Sequence, residues 1–227
     1  MNENISIVDP KIYRIGFWSG VAAFIATVAY IMVQILQVFG VVSGVWSGIL
    51  IYGFSLCIVI PFLIEMLALH HITPDAKKFW SHGALIYTIL YSVFTSANYV
   101  VQLATVIPMS LKGSSDHVRI LDQTPHSLFW DFDALGYIFM GMATFMAVPV
   151  FEKTRSQKSV RNFFLANGLV TPLIMFVYFY PNFTDKLVLV GLPWAITAPG
   201  SMLSLAMIFR QRYLANTSAP AEPFQVY

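Results

Sequence analysis

Between Arg14 and Glu65 the chain runs for fifty residues without one charged side chain. A soluble domain cannot hide such a run from water, and the rest of the sequence follows the same habit. Of the 227 residues 57% are hydrophobic and only 11% charged, with a mean hydropathy of +0.69, against about 25% charged residues in soluble domains. The solvent for most of this chain is therefore lipid.

A spanning helix needs about 20 apolar residues at 1.5 Å each. Six uncharged stretches meet that length: 15–39, 45–64, 83–111, 134–151, 162–184 and 187–209. The fourth is the shortest, so its helix is expected to begin further back, near Phe129, with Asp131 and Asp133 in its first turn. No stretch alternates apolar and polar residues as a barrel strand does, and only helices and closed barrels satisfy the backbone in lipid. The expected fold is all-α, an integral membrane bundle of six transmembrane helices. One domain covers residues 1–214, and the polar tail 215–227 is expected to be disordered. The first apolar run exceeds the roughly 7–15 residues of a signal-peptide core and is expected to stay as an anchor.

Six spans put both termini on one side, together with the loops around Asp75–Phe79 and Glu152–Arg161. That side carries Lys11, Arg14, Lys77, Lys78, Lys153, Arg155, Lys158, Arg161, Arg210 and Arg212, ten of the 13 basic residues. Lys112, Arg119 and Lys186 lie opposite. By the positive-inside rule both termini are cytoplasmic, and the expected location is the cell membrane. The longest loop, from about Met109 to Leu128, lies on the outer side, where it could fold over the mouth of the bundle.

Unpaired polar groups are costly in a bilayer, so polar residues at helical spacing should face other helices or a wet cavity. Tyr87, Tyr91, Thr95, Asn98 and Gln102 share one face of span three, and Thr27, Tyr30, Gln34 and Gln37 share one face of span one. Asp133, Tyr137, Gly141 and Thr144 form a stripe on span four, where the glycine permits close helix approach. Gln34, Gln37, Asn98, Gln102, Asp133 and Tyr137 fall at one level, which implies a polar pocket in the outer half, roofed by the long loop with His117 and His126. Interhelical hydrogen bonding alone would explain the threonines and tyrosines, Tyr91 among them. Asp131 and Asp133 diverge by about 200° on a helix and cannot form a shared carboxylate pair. For Asp131 a first-turn dipole contact is the plainer role, although it too borders the pocket, and Asp133 is the one expected to point inward.

At the cytoplasmic end lie Glu65, His70, His71, Trp80 and His82. Glu65 is expected about one turn inside the end of span two, able to snorkel or to pair with a cation. Adjacent histidines point apart, and the five-residue step from Glu65 to His70 does not fit a helical metal motif; no metal or cofactor is expected. Cys57 is the single cysteine, which excludes an intrachain disulfide. Nothing suggests nucleic acid; membrane lipids and a hydrophobic small molecule are the expected partners, and a homo-oligomer stays open.

Trp80-Ser81-His82 opening a span, Asn98-Tyr99 with Gln102-Leu103 in its outer half, and Gly136-Tyr137 in the next span together resemble a group of uncharacterised bacterial multi-pass membrane proteins. The resemblance covers spans two to four and implies a bacterial cytoplasmic membrane, with no assigned activity. Three readings of function stand side by side. One is binding of a lipid-like or aromatic small molecule in the outer pocket by Asn98, Gln102, Tyr137, Gln34, Gln37, Tyr91 and Asp131. The second is a membrane-embedded enzyme acting on an apolar substrate, with Asp133 as acid or base and His126 as its partner. The third is a small transporter or a subunit of a membrane complex.

Overall fold

A computed structural model describes residues 9–218 of the chain. Among them the regular structure is helical throughout, with no strand. The six long helices are α1 (Pro10–Val38), α2 (Gly44–Ile72), α3 (Lys78–Val101), α4 (Leu128–Ala147), α5 (Lys158–Phe179) and α6 (Trp194–Ser218). Six helical stretches are long and apolar enough to cross a membrane, as the charge-free runs predict. Local chemistry sets several ends. Asp9 caps α1, its side chain accepting from the Lys11 N–H, with Pro10 in the first turn; Ser127 caps α4 by accepting from the Trp130 N–H at 3.2 Å.

Each helix packs on its neighbours in sequence, and α6 returns to pack on α1, so the six form a closed ring. Lipid removes the hydrophobic drive between helices, and close packing of small residues takes its place. Ala23, Ala134, Ala143, Ala147, Ala198 and Ala206 are fully buried along the contact faces. Gly141 lies against the Thr171 side chain of α5, where any side chain on α4 would collide with it. Phe62, Met66, Met140, Phe164, Met202, Leu205 and Phe209 fill the centre. The outer faces keep Trp18, Ile25, Ile60, Leu169 and Ile196 exposed, as a lipid-facing belt requires.

Three boundaries depart from expectation. α2 continues two turns beyond Glu65 to Ile72, about one turn further than expected, and Glu65 is completely buried inside the bundle, where it was expected to snorkel or pair with a cation. α3 starts at Lys78 and passes at Gln102–Val106 into a π-helical turn before a last short helix, Ile107–Leu111. α6 continues through Ser218, so the first residues assigned to the polar tail are helical; 219–227 lie outside the described residues.

Candidate functional site

At the loop end of the bundle, away from the termini, α3, α4, α5 and the long loop meet around Asp133. Its side chain is 5% exposed and its two oxygens take four hydrogen bonds. Oδ1 accepts from the Tyr99 hydroxyl at 2.6 Å and from Asn98 Nδ2 at 3.4 Å. Oδ2 accepts from the Tyr178 hydroxyl at 2.5 Å and from Gln123 Nε2 at 2.9 Å. One carboxyl group on α4 thus gathers two phenols and two carboxamides from two other helices and a loop.

The loop enters through Gln123. Its carboxamide donates to Asp133 and accepts from Asn98 Nδ2 at 2.9 Å, and its backbone N–H donates to Gln102 Oε1 at 3.3 Å. Gln102 Nε2 in turn donates to the Leu121 carbonyl at 2.7 Å, and Val118 is buried beside this segment. The loop therefore folds over the mouth of the bundle. Gln102 opens the π-helical turn, where the widened backbone departs from the regular helical register; such turns recur at functional positions.

A second polar group borders the first. Tyr30 and Tyr137 share a hydroxyl–hydroxyl bond of 2.8 Å, and Gln34 Nε2 donates to the Tyr30 hydroxyl at 2.9 Å. The Tyr137 ring lies edge-on to Trp194 with centroids 5.0 Å apart and beside Tyr178 at 6.0 Å. One turn deeper than Asn98 is a narrow gap lined by Ser55, Tyr91, Thr95, Tyr99, Tyr137 and Trp194, with room for about one water molecule. Ser55 Oγ and Trp194 Nε1 at this gap are buried without a hydrogen-bond partner, as is Asn98 Oδ1 above it.

Of the residues singled out by sequence, the structure brings Asn98, Gln102 and Asp133 into one network, and sets Gln34, Tyr137 and Tyr91 around it. Gln37 is exposed on α1 beyond the last buried turn, since α1 reaches past the loop-end rim. Asp131 is exposed on the opposite side of α4 from Asp133, as their two-residue spacing requires. His126 is exposed, held at φ 66° in the turn that leads into α4, and is not among the partners of Asp133. Sequence reasoning missed Gln123, Tyr99 as an Asp133 ligand, and Tyr178. Tyr99 stands next to Asn98 and off its stripe, and it is buried because α3 packs between α2 and α4.

At the termini end, His70 Nδ1 is 2.9 Å from Ser81 Oγ and stacks edge-on with His82, while Lys78 donates to the His70 and Thr73 carbonyls that close α2. Lys77 and Arg212 line a depression there with Glu152 and Gln157. No family model, curated protein or solved structure matches the chain.

Proposed function

We propose that this multi-pass membrane protein binds a lipid-like or aromatic small molecule in the loop-end half of the bundle. The polar head of the ligand takes the place that Gln123 occupies between Asp133 and Asn98. The observation carrying this reading is the Gln123 carboxamide itself: a loop side chain offers one N–H to a buried carboxyl and one C=O to a buried amide. A ligand with an amide or hydroxyl head reproduces both contacts, and its apolar body extends toward the ring of Tyr91, Tyr99, Tyr137 and Trp194. A second polar group on the ligand finds partners in the Ser55 hydroxyl and the Trp194 N–H, which have none. Opening requires the segment around Gln123 to lift, and admitting the apolar body requires the side chains around the one-water gap to part as well.

The same proposal orients the protein with both termini in the cytoplasm, supported by ten of the 13 basic residues on that side. The site then faces the outer half of a cell membrane.

Mass spectrometry of the detergent extract tests the binding reading. Wild-type protein should carry a small molecule that the Asn98→Leu/Gln102→Leu double variant loses, and Gln123→Ala should retain or enrich it. Identical extracts from folded wild type and the double variant would refute the proposal.

A further inference from the structure

Glu65 sits in the termini-end half of α2, seven residues before its last residue Ile72, which is about 10 Å along the helix. It is completely buried, and neither carboxyl oxygen has a hydrogen-bond partner. Its carboxyl occupies a notch made by Gly20 of α1 and closed by Ala206 of α6; a side chain on Gly20 would run into it. The space for this acid is therefore created by two small residues on two other helices. Nothing in the Asp133 network uses it.

The titratable groups on the surrounding elements stand off from Glu65. Tyr13 is the buried one on α1, with Lys11 and Arg14 exposed; α6 contributes Arg210, Arg212 and Tyr213; α2 contributes His70 and His71; and α3 contributes Lys78 and His82. None donates a hydrogen bond to its oxygens. A charged carboxylate in that notch would lose its hydration with no donor in exchange. One and two turns further along the same face of α2, Leu69 and Ile72 line the depression that also holds the charged residues Lys77, Glu152 and Arg212. The depression thus begins about 6 Å along α2 from the acid.

We propose that Glu65 is an intramembrane proton-binding site, loaded from the depression at the termini end, whose neutral form holds α1, α2 and α6 together. The ligand is a proton. Its release leaves a carboxylate that the Gly20–Ala206 notch cannot house, so the contact between these three helices loosens and admits water. The site is independent of the small-molecule reading, because it lies at the other end of the bundle and shares no residue with it.

The test uses the full chain in detergent with dicyclohexylcarbodiimide, an apolar reagent for protonated carboxyl groups in apolar surroundings. The acid oxygen adds to the carbodiimide carbon, the acid proton passes to a reagent nitrogen, and the adduct rearranges to an N-acylurea with nothing lost. Peptide mass spectrometry should find the adduct on Glu65 and not on exposed Asp131. Labelling should fall about tenfold per pH unit above its midpoint and vanish in Glu65→Gln. If Glu65→Gln does not fold, localisation on wild type decides alone. Adducts confined to other carboxyl groups, labelling of Glu65 indifferent to pH, or protection by sodium ions at fixed pH would each overturn the proton assignment.

Discussion

Asp133 and Glu65 are two buried carboxyl groups in one bundle, and they are housed in opposite ways. Asp133 has four donors across two oxygens, one of them supplied by a loop. Glu65 has no donor and a notch cut to its shape. The first arrangement gathers four partners on one acceptor, so removing the acceptor strands three of them, Asn98 alone keeping a second acceptor in Gln123. The second strands nothing, because its neighbours are Gly20 and Ala206. The same functional group is thus a hub at one end and an isolated acid at the other.

The largest effect is expected at the hub. Asp133→Leu leaves two phenols and the Gln123 N–H unpaired, while Asn98 keeps its bond to Gln123, and should cost about 3 kcal/mol or more, since each stranded buried donor costs roughly 1–3 kcal/mol. A thermal melt in detergent should show it as a large loss of stability. Glu65→Met should move the opposite way, raising stability by about 1–3 kcal/mol by the same reasoning on an unpaired polar group. If both substitutions destabilise equally, the contrast between hub and notch fails.

Gly141→Val probes packing away from either acid. It drives a side chain into Thr171 and should cost about 1–3 kcal/mol as overpacking does, without changing exchange in the loop. Gln123→Ala should act in the reverse pattern: hydrogen exchange of residues 112–127 rises while the six helices keep their protection, at a global cost of about 1 kcal/mol. Unchanged loop exchange would mean that Gln123 does not fasten the lid. The smallest effect belongs to His126→Ala, within about 0.5 kcal/mol in a melt, as for exposed positions elsewhere.

The number and placement of helices were legible because charge is scarce and each lipid crossing leaves a long gap in it. The polar stripe of α3 was legible for the same reason, since Asn98 and Gln102 stand out in an apolar run. The divergence of Asp131 and Asp133 followed from helix geometry alone. Glu65 was expected one turn inside the end of α2, able to snorkel, whereas the helix runs a turn further and the acid is completely buried. A single carboxyl group says nothing of the glycine that accommodates it from another helix. Gln123 was invisible because a loop has no periodicity from which to read a direction. Tyr178 lies on α5 outside any polar pattern, and the packing of α5 on α4 carries its hydroxyl to Asp133. What the letters could not supply was the pairing of distant segments.

Ring closure also sets an order of events for synthesis. Helices α1 to α5 can each settle beside the one before as they leave the ribosome, but the face of α1 that receives α6 stays uncovered until the last span arrives. Ala206 comes with that span, so during insertion the pocket around Glu65 has one wall missing. A chain halted before α6 would present an acid to lipid or to quality-control machinery, and completion of the final helix is the step that conceals it.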